Sequence, residues 1–194
     1  MTTAVEQLYQ QVILDHAKNP HGRGLTPLDV VAPGHALGES HQVNTTCGDE
    51  VTLRVDVVAA GSPEGIGILR GVSWEGQGCS ISQACLSVLT DLVTGSELTE
   101  VDRLAESFRA LMRARGQGLD PEREDALGDA TAFTGVAKYP ARIKCALLGW
   151  VALRDAVVRS GTPLPTGTAP ATNTSPATTS SATTSPTAIA KENS

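Results

Sequence analysis

A regular alternation of apolar and polar residues after Asp49 restricts the fold more than any other feature of this chain. Apolar side chains occupy every second position over residues 51–57, the pattern of a β-strand with one buried face. A loop with Gly and Pro over residues 59–67 then leads to a second strand over residues 68–74, with Gly71 at the position of a bulge. The simplest pairing of these strands is an antiparallel hairpin with a long connection.

Most of the remaining chain has the 3.6-residue period of amphipathic helices. Helices are expected over residues 3–18, 80–95, 99–115 and 141–159, with a short helix that starts at Pro121 and a turn of helix followed by a loop over residues 127–135. Thr3 and Ser80 are expected to cap the first two of these helices. Residues 25–44 have no clear period, and only Val30 and Val31 indicate a short strand there. The pattern predicts an α+β fold, in which a small antiparallel sheet of about three strands packs against several helices.

The composition changes abruptly at Gly161. Residues 161–194 are almost wholly Thr, Ser, Ala and Pro. Such a segment buries too little apolar surface to offset the entropy lost on ordering, so we expect a disordered C-terminal tail. The remaining residues 1–160 have the size of one domain.

The net charge of −6 argues against several classes of partner. A nucleic-acid-binding domain normally presents a basic patch, so neither nucleic acid nor an anionic membrane is an expected partner. The chain has no apolar run of about 18 residues and its N-terminal segment is polar, so we expect a cytoplasmic protein. Thiols stay reduced in that compartment, and the four cysteines are therefore interpreted as metal ligands, catalytic groups or core residues before disulfides.

Three of the four cysteines lie at the ends of predicted elements. Cys47 precedes the first strand, Cys79 precedes the helix over residues 80–95, and Cys145 lies in the early turns of the last helix. Segments that are distant in sequence can converge at such positions. The free N–H groups and dipole of a helix N-terminus also favour a thiolate at Cys79. Cys85 instead lies on the buried face of its helix and is interpreted as a core residue.

Asp49 follows Cys47 by two residues, with Gly48 between them. Three thiolates and one carboxylate form a complete tetrahedral set for Zn²⁺, and the same set could hold iron or an iron–sulfur cluster. The alternative is a group of unrelated buried cysteines and a surface Asp, because the cysteine spacing is no compact zinc motif. The pattern alone leaves the metal and the convergence open.

Three of the histidines receive structural interpretations. His16 lies on the apolar face of the first helix and is expected to pack at the edge of the core. His35 and His41 are expected in a solvated loop, because neither has a partner at the spacing of a zinc motif.

Three motifs stand in order along the chain: Asn-Thr-Thr-Cys-Gly-Asp at residues 44–49, Gly-Gln-Gly-Cys-Ser at residues 76–80 and Arg-Ile-Lys-Cys at residues 142–145. They resemble the signatures of the IscU/SufU/NifU N-terminal superfamily of iron–sulfur cluster assembly proteins, and the resemblance covers residues 3–160. It is greatest to the SufU branch, because Lys144 stands where cluster scaffolds have His and because the connection between the second and third motifs is long. Thr45 departs from the family, which usually has Pro there.

The resemblance implies a zinc-dependent sulfur acceptor. Its donor would be a SufS-type, PLP-dependent cysteine desulfurase, and it would serve downstream iron–sulfur assembly proteins. In this hypothesis Cys47 leaves the metal and carries the persulfide, while Cys79 and Cys145 hold the metal with Asp49. Arg142 is expected near the site, paired with Asp49 in a supporting role, and the alternative is that it lies on an ordinary solvated helix face.

Two other functions stay open at this point. One is a scaffold that builds and transfers an iron–sulfur cluster on the same three cysteines, which Lys144 in place of His disfavours by the resemblance. The other is a zinc domain whose metal serves folding alone. Asp49 disfavours that function, because closed structural zinc sites usually have only Cys and His ligands.

Overall fold

The computed structural model describes residues 4–27, 32–58 and 67–162. Several predictions lie outside these residues: the tail beyond Thr162, the strand at Val30 and Val31, most of the loop over residues 59–67, and Thr3 as the cap of the first helix. Within the described residues the chain has the predicted α+β fold, with a three-stranded antiparallel sheet packed against helices. No helix there combines the length and the apolar character needed to span a bilayer.

Apart from the strand over residues 35–44, the elements follow the predicted order along the chain. They are α1 (Ala4–Lys18), β1 (His35–Asn44), β2 (Asp49–Val58), β3 (Ile68–Gln77), α2 (Ser80–Val93), α3 (Leu98–Arg113), α4 (Pro121–Leu127), a 3-10 helix (Gly128–Lys138) and α5 (Pro140–Arg159). The 3-10 helix corrects the turn and loop predicted over residues 127–135.

The central strand β2 confirms the alternation in the sequence. The four apolar residues at alternate positions of residues 51–57 are at most 1% exposed. β2 pairs antiparallel with β3, as the hairpin prediction requires, and the register shifts so that Arg70 is the extra residue of a bulge beside Gly71. This strand carries the site, because Asp49 is its first residue.

β1 is the main correction to the predicted fold. A loop was expected across most of this region, but residues 35–44 form a full antiparallel strand against β2. The strand lacks apolar alternation because α5 packs very close to it. A Cβ on Gly38 would lie 1.9 Å from the carbonyl oxygen of Ala156, and Ser40 Oγ donates a hydrogen bond to Asp155 Oδ2 at 2.7 Å. Small and polar residues therefore face α5 where a typical strand has large apolar ones.

The two histidines predicted in a solvated loop lie instead in β1. His35 Nδ1 is 2.7 Å from Asp56 Oδ1, and His41 Nδ1 is 3.0 Å from Thr52 Oγ1. Both partners are on β2, so these side chains form cross-strand contacts. Neither belongs to the cysteine site.

Aromatic packing fixes α3, α5 and the 3-10 helix around one core. Phe108 of α3 stacks on Trp150 of α5 with ring centroids 5.2 Å apart. Phe133 of the 3-10 helix meets Phe108 edge-on at 5.8 Å. These contacts anchor α5, whose early turns carry Cys145.

α1 is a helix as predicted, but its apolar face is only partly covered. Val5 and Leu8 are 56% and 61% exposed, whereas Tyr9, Val12 and Ile13 are half-buried. The helix packs against α2 and the 3-10 helix at the surface of the domain.

Candidate metal centre

Asn44 shapes the turn that presents Cys47. Its backbone oxygen accepts hydrogen bonds from the backbone N–H groups of Cys47 at 3.2 Å and Gly48 at 2.8 Å. Its side-chain Oδ1 accepts one from Thr46 N at 3.1 Å. Gly48 has φ = +77°, a conformation that Gly adopts without strain. The turn places Cys47 at an exposed position between two strand ends.

The motif at residues 44–49 named Asn44, but sequence reasoning gave it no role. An Asn at the end of a strand that begins a turn is the signal for this backbone bonding. Its Nδ2 atom is buried and has no hydrogen-bond partner among the described residues.

Asp49 is 3% exposed and connects β2 to the start of α2. Its Oδ1 accepts a hydrogen bond from Cys79 N at 3.0 Å, and its Oδ2 lies 3.6 Å from Cys79 Sγ. Gly78 allows this approach, because a Cβ there would lie 3.0 Å from Asp49 Cγ. The carboxylate lies where the first N–H groups of a helix favour negative charge.

The predicted cap of α2 at Ser80 is wrong. The helix begins at Ser80, and Cys79 occupies the N-cap position without a capping hydrogen bond from its own side chain. Asp49 accepts from the Cys79 N–H in its place. The thiol of Cys79 therefore stays free of any capping role.

Cys145 faces the turn from α5. Its Sγ atom lies 3.3 Å from Cys47 Sγ, and the residue is 5% exposed. The neighbouring Lys144 donates a hydrogen bond from Nζ to Thr46 Oγ1 at 3.2 Å. α5 thus contacts the turn on both sides of the peptide bond between Thr46 and Cys47.

Ligand atoms of Cys47, Asp49 and Cys145 all lie within 4.8 Å of one another. Cys79 adjoins this group through its contact with Asp49. Two sulfurs bound to one Zn²⁺ at about 2.3 Å lie roughly 3.8 Å apart in tetrahedral geometry. The two close thiols would need to separate by only about 0.5 Å from their 3.3 Å distance, so the donor set fits zinc.

The charges of the cluster are unevenly distributed. Burial raises the pKa of Asp49, but hydrogen bonds from Cys145, Cys47 and the Cys79 N–H outweigh it and hold that pKa below its ordinary value. Burial and the neighbouring Asp49 carboxylate raise the pKa of the Cys145 thiol. A bound divalent cation would offset the repulsion among several anions in this space.

Two other predicted side chains stand apart from the cluster. The guanidinium of Arg142 forms no hydrogen bond or ion pair with the described residues, so its predicted pairing with Asp49 is absent. Arg142 lines an apolar groove with Tyr9, Ser80 and Tyr139. Cys85 is 2% exposed and donates to the Ala146 oxygen at 2.9 Å, and burial raises its pKa, which confirms its place in the core.

Comparison with known proteins supports the sequence motifs. The model of the NifU-like N-terminal domain matches residues 8–146. The chain is 35% identical over 155 residues to the zinc-dependent sulfurtransferase SufU of Bacillus subtilis, covering 80% of this chain and 92% of that protein. It is 36% identical over 157 residues to the iron–sulfur cluster assembly scaffold protein IscU of Streptococcus pyogenes, covering 80% of this chain and 86% of that protein.

A solved structure has the same fold. It is a putative iron–sulfur cluster assembly scaffold protein for the SUF system of Fervidobacterium islandicum, with a TM-score of 0.58 and 30% identity. The likeness covers 78% of this chain and 98% of that chain.

Proposed function

The chain belongs to the NifU-like N-terminal domain family, which includes SufU and IscU proteins of iron–sulfur cluster assembly, and on this premise we propose that it is a zinc-dependent sulfur acceptor. The proposed donor is the persulfide of a SufS-type, PLP-dependent cysteine desulfurase. One observation carries the proposal: Cys47 is exposed at the tip of a turn, whereas Asp49 and Cys145 are buried behind it. Such a site exposes one thiol to a partner protein while Asp49 and Cys145 stay buried.

Cys47, Asp49, Cys79 and Cys145 are the residues that we propose to hold zinc. When bound there, zinc favours the deprotonated form of its cysteine ligands. Cys79 and Cys145 lie at the N-terminus of α2 and in the second turn of α5, so their backbone is rigid. Cys47 lies beside Gly48 in a turn, where a change of backbone angles is least costly.

The transfer itself is thiol–disulfide exchange chemistry. The Cys47 thiolate attacks the outer sulfur of the donor persulfide, and a new S–S bond forms on Cys47. The old S–S bond breaks, and the desulfurase cysteine leaves as a thiolate with the electron pair. Oxidation states balance without another reactant, because one persulfide replaces another.

Arg142 is proposed only as a supporting residue. Its guanidinium has no partner among the described residues, and it lines the groove beside the first residues of α2. It is therefore available to an incoming protein next to Cys79. A Coulombic contact at this exposed position would affect association more than the chemical step.

A cluster scaffold is the second candidate, because relatives of similar identity are named as IscU scaffold proteins. The same three thiols would serve as ligands in it. Lys144 distinguishes the candidates, since its ammonium group cannot be a ligand while it is charged and bonded to Thr46.

The test uses the full chain purified without added metal, with Cys47→Ser, Cys79→Ser and Cys145→Ser variants and Cys85→Ala as the control. We expect the unchanged protein and the Cys85→Ala control to contain zinc, and we expect the Cys79→Ser and Cys145→Ser variants to lack it. Incubation with the desulfurase and cysteine should stimulate turnover and leave a persulfide on Cys47, detected by alkylation and mass spectrometry.

The outcomes separate the candidates. Stimulation of the desulfurase by Cys47→Ser equal to that by the unchanged protein would refute the assignment of the acceptor. Bound iron with visible charge-transfer absorption, in place of zinc, would favour the scaffold.

A further inference from the structure

A second group of side chains that can bind a metal lies near the C-terminus of α2, at the other end of this helix from Cys79. His16, His21 and Asp91 have ligand atoms that all lie within 4.8 Å of one another. Asp91 follows Cys79 by twelve positions on this helix, which corresponds to about 18 Å at 1.5 Å per residue. We propose that these three residues form a separate, weaker binding site for a divalent transition-metal ion. This proposal does not depend on the function of the cysteines.

The backbone of His21 is fixed on both sides. Its N–H donates to Ser87 Oγ at 2.8 Å, and its carbonyl oxygen accepts from Trp74 Nε1 at 2.9 Å. The next residue, Gly22, has φ = +70°, and a Cβ there would lie 2.6 Å from Thr90. The turn after α1 is therefore held against α2 and β3, and it presents the imidazole of His21 from a rigid position.

His16 approaches the same point from α1. Its Nδ1 atom lies 2.8 Å from Ser87 Oγ, and its ring meets that of His21 edge-on with centroids 5.2 Å apart. We assign the proton to Nδ1, so that it donates to Ser87 Oγ, which has two acceptor lone pairs. Nε2 then keeps its lone pair, the arrangement found where a hydrogen bond orients a metal-binding His.

Asp91 supplies the negative charge. Its Oδ2 atom accepts the Nδ1 proton of His21 in a hydrogen bond of 2.6 Å. Two ligands of one tetrahedral ion bonded at about 2.0 Å lie roughly 3.3 Å apart, so an ion that replaces this proton would move the two atoms apart by less than about 1 Å. Asp129 lines the same small cavity as His16 and Asp91, and so adds a second carboxylate beside it.

The donor types define the class of ion. Two imidazoles and one carboxylate suit Zn²⁺, Fe²⁺ and their neighbours, whereas Mg²⁺ and Ca²⁺ prefer oxygen ligands alone. His21 and Asp91 are 57% and 49% exposed, so water competes for them. We therefore expect this site to bind its ion more weakly than the cysteine site, which has three thiolates among its four proposed ligands.

Zinc and Co²⁺ are the probes of the test. Full-length protein whose cysteine site is already filled with zinc is titrated with Zn²⁺ by calorimetry, beside the His21→Ala, His16→Ala and Asp91→Asn variants. The control is His41→Ala, which removes an exposed His from β1. We expect one further equivalent to bind, an affinity at least tenfold lower in each of the three variants, and no change in the control.

A spectroscopic readout separates this site from the cysteines. Co²⁺ bound by thiolates gives strong charge-transfer absorption, which the three variants should keep unchanged because their thiols are intact. In imidazole NMR spectra of the unchanged protein, added Zn²⁺ should shift the signals of His16 and His21 and leave those of His35 and His41. Thermal unfolding with a chelator shows whether each variant is folded.

Each result decides between a site and a plain ion pair. The proposal fails if no further equivalent binds, or if folded His21→Ala and Asp91→Asn bind it with unchanged affinity. Shifts of all four histidines would show diffuse surface binding and would also refute it. Loss of the thiolate signal in the cysteine variants is a separate result that concerns only the proposed function.

Discussion

The sulfur atoms of Cys47 and Cys145 lie 3.3 Å apart, although the residues belong to a turn and a helix separated by 98 positions in sequence. A carboxylate oxygen of Asp49 lies within 4.8 Å of both sulfur atoms. A pair this close can be joined by a metal or by oxidation, and the two states exclude each other.

We predict that metal-free protein treated with a mild thiol oxidant forms a disulfide between Cys47 and Cys145. The short distance favours this pair over Cys79, whose Sγ atom contacts Asp49 Oδ2 at 3.6 Å, and over Cys85 in the core. Peptide mapping by mass spectrometry identifies the bond. Zinc-loaded protein is the control and should resist oxidation, and a disulfide that contains Cys79 in place of either residue would contradict the prediction.

Two side-chain contacts join α5 to the described turn residues 45–48. One is the contact between the thiols of Cys145 and Cys47, and the other is the hydrogen bond from Lys144 to Thr46. We predict that Lys144→Met and Thr46→Val each slow sulfur transfer about two- to fivefold, because an exposed pair of this kind contributes roughly 1 kcal/mol or less. The double variant should be no slower than either single one. The measurement is the rate of desulfurase stimulation at equal zinc content, and additive losses would refute the contact as the cause.

We predict that ending the chain after Thr162 changes neither the zinc content nor the thermal unfolding midpoint. The described residues already contain the core and all four proposed ligands, and the deleted segment is too poor in apolar residues to add a packed face. Metal analysis and calorimetry of both forms measure this. Loss of zinc in the shortened chain would give the predicted tail a role at the site.

The close packing of β1 against α5 leads to a stability prediction. Gly38→Ala should lower the free energy of unfolding by roughly 1–3 kcal/mol, because its new methyl group cannot fit beside the backbone of Ala156 without movement. Gly71→Ala is a matched control in β3, where the nearest atom to a new Cβ is Asp56 Cβ at 3.9 Å. Urea unfolding at neutral pH compares the two variants. Equal losses of unfolding free energy would show that replacing any Gly of the sheet has this effect, whatever its contact with α5.

The same packing explains why β1 escaped prediction. Sequence patterns report strands whose buried face is apolar, as β2 has, and β1 turns Gly38 and Ser40 toward α5 instead. The helices were predictable to within a few residues because their apolar faces are broad and their caps local. Asp120, for example, accepts a hydrogen bond from Arg123 N at the start of α4, as its place before Pro121 indicates.

The candidate site was less accessible to pattern reasoning than the fold. The spacing of the cysteines does not reveal their approach, which depends on how α2 and α5 pack on the sheet, and only the three motifs together pointed to it. Arg142 illustrates the limit. The family resemblance suggested that it pairs with Asp49, but its side chain lines the groove instead. His21 carried no motif signal at all, because its partner Asp91 lies 70 positions away.

Asp155 gives a prediction for the dependence of stability on pH. The hydrogen bond from Ser40 lowers the pKa of Asp155, burial opposes it, and the hydrogen bond and charge of Arg159 lower it further. A carboxyl whose pKa is lower in the folded than in the unfolded state stabilises the fold above its unfolded pKa of about 3.9 and loses that effect as pH falls through the folded pKa. Asp155→Asn should therefore destabilise the protein at pH 7 and much less in acid below the folded pKa of Asp155.

Urea unfolding of the unchanged and variant proteins across this range measures the difference. Asp49 titrates equally in both proteins, so its contribution cancels. Ser40→Ala should reproduce part of the loss at pH 7, because it removes the partner that lowers the pKa most. The loss of unfolding free energy in Asp155→Asn could instead stay constant from pH 7 to acid pH. That result would mean that the shape of the Asp155 side chain, and not its charge, stabilises the contact of β1 with α5.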